Sequence, residues 1–443
     1  MSVAAAAGEN ATRRDAGLVR GLGVWGLAAS IVSMVVGAGI FAVPSALAAA
    51  VGPYAPLAFL ACGVAIGAVA ICFAEGGSRM PTSGGAYGYI EASMGPLAGY
   101  VCGTMLWVSD ALASGGVAAA FADIVASAMP KSPATLVRPA AVIALVGAIA
   151  LVNVRGIRRG AQLLGTATAV KLVPLAIFVL VGASAVRGSN FTVHADSISP
   201  DASRAFILAM FALIGMEGSL CASGEVAEPA RTIPRSIALA LVFVTVLYLS
   251  IQLVAQGILG TALAASASPL PDAMGRVSPT LRALMLAGAG LSMIGWMGSD
   301  ILSTPRMLFA FGRDGMLPRA LGRLHPRTHA PYIAILSYAV LVIVLALTGT
   351  FAELAVLATL TTAPLYILGC LAAWRLARGG VALAGAPLDF RWLGVATVVG
   401  TASMLAVVAL ASRAEILGLL VLIAVSIAVY LVQIRFAPAA AGP

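Results

Sequence analysis

Two short segments are built to do chemistry with their backbone. Residues 36–41 read Val36-Gly37-Ala38-Gly39-Ile40-Phe41, and residues 214–218 read Ile214-Gly215-Met216-Glu217-Gly218. Inside apolar runs, glycines grouped in this way serve either close helix packing or an interruption of the helix. An interruption leaves free N–H groups at the start of one half and free carbonyls at the end of the other. The amides of Gly37, Ala38, Gly39 and Ile40 would then hold a carboxylate, while carbonyls near Met34, Phe211 and Ile214 would accept from an ammonium. Such a pairing suits a zwitterion and leaves side-chain selection to neighbouring residues.

Four ionisable residues fall within apolar runs: Asp110, Lys171, Glu217 and Asp300. Each costs on the order of 2.5–3.5 kcal/mol in a bilayer-spanning helix, so each needs a partner or a purpose. Glu217, inside the second segment, would hold a proton, meet a cationic substrate, or stay neutral and tie the two interrupted helices together. Asp110, midway along its run, would face the same cavity. Lys171 follows Arg159 by twelve residues, roughly 18 Å of helix, which exceeds the reach of a snorkelling lysine. It therefore points inward, as a countercharge for a carboxylate or as a titrating ammonium. Asp300, six residues before Arg306, fits the wall of a polar network better than a ligand contact.

No nucleophile with its base or set of metal ligands accompanies these groups. The histidines His194, His325 and His329 lie between the runs, and Cys62, Cys72, Cys102, Cys221 and Cys370 lie within or beside them. The cysteines read as small buried apolar residues rather than disulfide partners or metal ligands. The chain is therefore expected to be no enzyme and to use no metal or organic cofactor.

The elements that position these residues follow from composition. Of 443 residues 61% are hydrophobic and 10% charged, against about 25% charged in soluble domains. So few charges cannot coat a water-soluble body of this size, and the solvent is lipid. Runs long enough to cross a hydrocarbon core of about 30 Å occur at 22–50, 54–75, 97–127, 138–154, 161–186, 203–225, 236–260, 283–311, 332–349, 354–376, 391–412 and 415–436. The first is too long for the apolar core of a leader, despite Arg13 and Arg14 before it. With the N-terminus inside, inner segments carry 18 of the 26 Lys and Arg and outer segments 7, Lys171 being within a run. Both tails, 1–21 and 437–443, are thus expected in the cytoplasm. The net charge of +9 is scattered in short clusters without interleaved aromatics, which argues against a nucleic-acid partner.

The two glycine segments open the first and sixth runs, five helices apart. That spacing predicts an all-α protein of twelve spans whose two five-helix repeats, 22–186 and 203–376, enter the membrane from opposite sides and place both breaks near the midplane, with the runs in 391–436 beyond them.

The sequence resembles the amino acid-polyamine-organocation (APC) transporter superfamily. Three segments carry the resemblance: Val36 to Pro44 (VGAGIFAVP), Pro81 to Tyr89 (PTSGGAYGY, with Gly95 beyond) and Phe211 to Pro234 (FALIGMEGSLCASGEVAEPARTIP). The resemblance implies a LeuT-type fold with discontinuous first and sixth helices and alternating access by secondary transport. It implies that Gly37 to Gly39 hold the substrate carboxylate and that Ile214 and Gly215 contact its amino group. It further implies that Lys171 stands where sodium-coupled relatives bind an ion, hence proton coupling or sodium-independent exchange, and that Glu217 matches a glutamate linked to proton-dependent gating in arginine-agmatine exchangers. The segment at Pro81 would form an inner loop, with Glu91 on its helix.

Departures from the arginine-agmatine pattern concern the substrate. Met34 replaces an asparagine, Phe211 replaces a tryptophan that covers the ligand, and Ile301 is assigned to the eighth-span tryptophan position, so Phe211 and Ile301 become the expected gates. Asp110 stands where those exchangers have an asparagine. The resulting expectation is a secondary active amino-acid transporter of a bacterial inner (plasma) membrane, a monomer or loose homodimer, whose partners are an amino acid or amine substrate and membrane lipid. A basic amino acid or polyamine antiporter is the alternative, and a channel or transporter-like nutrient sensor the rival from another class.

Overall fold

The computed structural model describes residues 20–81, 85–129, 133–155, 171–191, 202–313, 315–383 and 385–436. The tails at 1–19 and 437–443, His194, Arg159 and the first part of the fifth expected span lie outside them.

Helices account for the described chain, as a bilayer demands: without water every backbone polar group must be satisfied internally, and a helix does so by itself. In order they are α1 (Val24–Val35), α2 (Gly39–Val51), α3 (Ala55–Arg79), α4 (Ala86–Met94), α5 (Pro96–Ala128) and α6 (Ala134–Val154). Next come α7 (Lys171–Ala185), α8 (Ala202–Leu213), α9 (Met216–Leu220), α10 (Pro229–Leu259), α11 (Pro269–Gly275) and α12 (Pro279–Arg313). The last four are α13 (Tyr332–Thr348), α14 (Phe351–Arg378), α15 (Leu393–Ala409) and α16 (Arg413–Phe436). Among the described residues, eight stretches are long and apolar enough to cross a membrane, and α1, α7, α13 and α15 are shorter apolar helices. The protein is a multi-pass helical membrane protein.

Eight rather than twelve full-length stretches emerge for physical reasons. The first expected span is divided into α1 and α2 by Val36, Gly37 and Ala38, and α2 runs into α3 through a single turn at Gly52–Tyr54. The helices α13 and α15 have 17 residues each, about 26 Å, slightly less than the hydrocarbon thickness. Large apolar side chains such as Leu417, Leu420, Val421 and Val425 of α16 are exposed, the surface expected where lipid is the solvent.

The sixth span is divided as well. Helix α8 stops at Leu213, Ile214 and Gly215 intervene, and α9 lasts five residues. The two interrupted helices lie side by side, α2 packed on α8 and α1 on α9, so that their breaks meet. Around them α5 lies along α13 and α14, α3 lies along α10, α14 and α15, and α12 crosses α5.

Candidate functional site

Where the breaks meet, the structure encloses a cavity of about 40 Å³. A buried water needs roughly 10–15 Å³ on this measure, so the chamber is small, with room for a few waters. The first break contributes Met34, Val35, Gly37, Ala38 and Gly39; the second contributes Phe211, Ala212, Ile214, Gly215 and Glu217. Helix α5 adds Ser109, Asp110, Ala113 and Val117, α12 adds Trp296, and α14 adds Ala358, Thr359 and Thr362.

The close approach of the breaks depends on two glycines. Gly215 adopts φ +130°, and a Cβ there would stand 2.9 Å from the Met34 carbonyl oxygen. A Cβ on Gly39 would stand 3.0 Å from Ala212. Side chains at these positions would force the two broken helices apart.

At the end of α1 the Val32 carbonyl accepts the Val36 N–H at 2.9 Å, and the carbonyls beyond it are capped by side chains from other helices. Lys171 of α7 donates to the Ser33 carbonyl, to Ser33 Oγ at 3.1 Å and to the Val36 carbonyl at 2.9 Å. Trp296 Nε1 donates to the Met34 carbonyl at 2.6 Å, and the Tyr248 hydroxyl of α10 donates to the Val35 carbonyl at 3.1 Å. The carbonyls that a helix end normally leaves open are thus held by three partners. By contrast, the N–H groups of Gly37, Ala38 and Gly39, at the start of α2, have no acceptor among the described residues. Free donors therefore face the chamber beside the carbonyl end of α8, an arrangement able to take a carboxylate at one side and an ammonium at the other.

Two carboxyl groups reach the chamber. Glu217 Oε2 accepts the Tyr366 hydroxyl of α14 at 2.5 Å and the Gly215 N–H at 3.2 Å. Asp110 Oδ2 lies 2.9 Å from Thr304 Oγ1 of α12. Thr304 in turn contacts Asp300, which also receives Ser114 and Tyr338.

Of the residues expected from sequence, Met34, Gly37, Ala38, Gly39, Asp110, Phe211, Ile214, Gly215 and Glu217 come together on this wall. Ile40 does not, being fully buried in the core. Ile301, expected as a gate, is likewise fully buried and off the chamber; the eighth-span residue that lines it is Trp296, five positions earlier. Its ring carbon Cδ1 would lie 3.1 Å from a Cβ on Gly37. The signal in the sequence is an intramembrane tryptophan one helical turn before Asp300. Lys171 also stands off the chamber, behind α1, and its acceptors are backbone and hydroxyl oxygens. No carboxylate is among its partners in the described residues. Glu217 bonds to α14 rather than bridging to the first broken helix. The partners Thr304, Tyr366 and Tyr248 are not legible in the sequence, because ordinary hydroxyls in apolar runs carry no distinguishing pattern.

The amino acid permease family model matches residues 22–436. The chain belongs to that family. It is 26% identical over 345 residues to a methylthioribose transporter of Bacillus subtilis, covering 73% of this chain and 74% of that protein. It is 26% identical over 360 residues to the branched-chain amino acid permease BcaP of Lactococcus lactis, covering 75% and 76%. An uncharacterized transporter of Mycobacterium tuberculosis is 33% identical over 326 residues, covering 71% and 70%. These relatives are permeases and transporters, and with the apolar helices they make this chain a membrane transporter.

Proposed function

We propose that the chain is a secondary active amino-acid transporter of the bacterial inner membrane, working by alternating access, with both termini cytoplasmic. In this reading the helices form two inverted five-helix repeats, α1 to α7 and α8 to α14, with α15 and α16 added. The observation that carries it is the small chamber between two broken helices, where free amides of Gly37, Ala38 and Gly39 face the carbonyl end of α8. The substrate carboxylate sits at those amides and its amino group at Ile214, Gly215 and Asp110. Phe211 and Trp296 close over the ligand, and rocking of the broken helices opens the other side. Proton coupling runs through Lys171, Glu217 or both, by symport or exchange, and no metal or organic cofactor takes part.

The apolar neighbours Val35, Ala113, Val117 and Ile214 favour a neutral aliphatic side chain, in keeping with the name of the branched-chain permease relative. The two acids, Asp110 and Glu217, support a second reading, a basic amino acid or polyamine antiporter.

Counterflow in proteoliposomes with radiolabelled leucine, arginine and putrescine separates the readings. Saturable leucine counterflow, competed weakly by the cations, is expected. Preferential arginine or putrescine exchange would favour the second reading. Ion conductance far above carrier rates would indicate a channel, and binding without flux a sensor.

A further inference from the structure

Behind the chamber, Thr304 Oγ1 stands 2.9 Å from Asp110 Oδ2 and 2.9 Å from Asp300 Oδ1. A threonine hydroxyl carries one hydrogen, so it donates to one carboxyl group and must accept from the other. Asp300 Oδ2 already receives Ser114 at 2.5 Å and Tyr338 at 2.7 Å. With the Thr304 hydrogen added, Asp300 would be a carboxylate held by three donors, and Asp110 would supply the hydrogen that Thr304 accepts. With no proton on the pair, one hydroxyl would face two anions with a single hydrogen. A second proton on Asp300 would have to displace one of its three donors.

Among the described residues, none of the groups that act on the pair is positively charged. Facing the pair are Glu217 of α9 with its donor Tyr366 of α14, Cys221 just beyond α9, and Tyr338 of α13. Arg306, on α12 itself, is six residues past Asp300, about 9 Å along the helix and roughly 240° around it. The charges on α4, α6, α11, α14 and α16 lie within two turns of helix ends, and α1 carries none. A separate observation points to a ligand: Asp110 lines the chamber, and its second oxygen, Oδ1, has no protein partner among the described residues.

We propose that Asp110 and Asp300 share one proton through Thr304, and that a substrate amine arriving at Asp110 Oδ1 drives that proton to Asp300. Asp110 Oδ2 releases its hydrogen to Thr304 Oγ1 as Thr304 passes its own to Asp300 Oδ1. Two O–H bonds break and two form, and the charge of the pair stays at one negative. The negative charge moves to the chamber wall, beside the ammonium, while Asp300 becomes neutral. Substrates are thereby required to carry a protonated amine, and Thr304 is a positioning residue for the exchange. The amine-driven step rests on the substrate chamber proposed above; the shared proton does not.

Infrared difference spectroscopy on the full-length protein in lipid, with and without L-leucine, tests it. The ligand-free protein is expected to show a deuterium-sensitive carboxylic C=O band that Asp110→Asn removes. Leucine is expected to shift the band to a position that Asp300→Asn abolishes. Thr304→Ser keeps the shift, whereas Thr304→Val, folded by its melting curve, loses it and takes up leucine about ten-fold more slowly, the scale of one bond to a charged group. No such band, a band indifferent to both Asn variants, or a leucine shift intact in Thr304→Val overturns the proposal. If the native protein moves neither leucine, arginine nor putrescine, the transport reading fails, and the ligand-free band still decides the shared proton.

Discussion

Trp296 and Met34 are 262 residues apart, yet the indole N–H of one donates to the carbonyl of the other at 2.6 Å. The same ring abuts Gly37, so a single side chain of α12 both caps α1 and covers the first break. Trp296→Phe keeps most of the ring and removes the donor. It is expected to cost about 0.5–1.5 kcal/mol, a loss of roughly two- to ten-fold in substrate affinity, measured by competition against labelled leucine. Unaltered affinity would mean that the indole N–H does not hold the break in its binding form.

Gly215 is the tightest point between the broken helices. Gly215→Ala introduces a Cβ 2.9 Å from the Met34 carbonyl at a backbone conformation that L-residues avoid. The strain is expected at about 1–3 kcal/mol. It should lower the thermal unfolding midpoint and abolish counterflow together, while Gly298→Ala, where a Cβ meets nothing within 4 Å, changes neither.

Lys171 as an ammonium fills three acceptors at the end of α1. A neutral amine has one hydrogen fewer, so raising the pH releases one bond and loosens α1, and lowering it restores the cap. Lys171→Ala should abolish the pH dependence of uptake in proteoliposomes. It should also destabilise the protein by about 1–3 kcal/mol for each carbonyl left unpaired. A pH profile parallel to that of the native protein removes Lys171 from the coupling scheme and leaves it as a structural cap.

Arg79, at the end of α3, is buried with Glu75, its Nε 2.7 Å from Glu75 Oε1. It also bonds Asp389 and, at 3.1 Å, the Val381 carbonyl, while Glu75 Oε2 accepts the Phe390 N–H at 3.0 Å. This cluster clamps α3 to the connection between α14 and α15. Arg79→Met leaves Glu75 buried without its countercharge, at an expected cost of about 3–5 kcal/mol. The double change Arg79→Met with Glu75→Leu should recover much of the lost melting temperature. Equal damage in both would show that the backbone bonds, not the ion pair, hold the clamp.

Lipid as solvent, helices as elements and the two glycine segments were all written in local features of the chain. Apolar runs need length, charges must be scarce, and a helix break needs residues without large side chains; each of these is a property of neighbouring residues. The chamber residues Gly37, Gly39, Phe211 and Gly215 were legible for that reason. What the tertiary structure decided is which distant groups face them. Trp296 rather than Ile301 lines the chamber because the rotation of α12 about its axis is set by packing against α5 and α13, not by its own sequence. Lys171 lies against carbonyls rather than a carboxylate, and Thr304 stands between Asp110 and Asp300, because hydrogen bonds across helices depend on registers fixed only when the bundle closes.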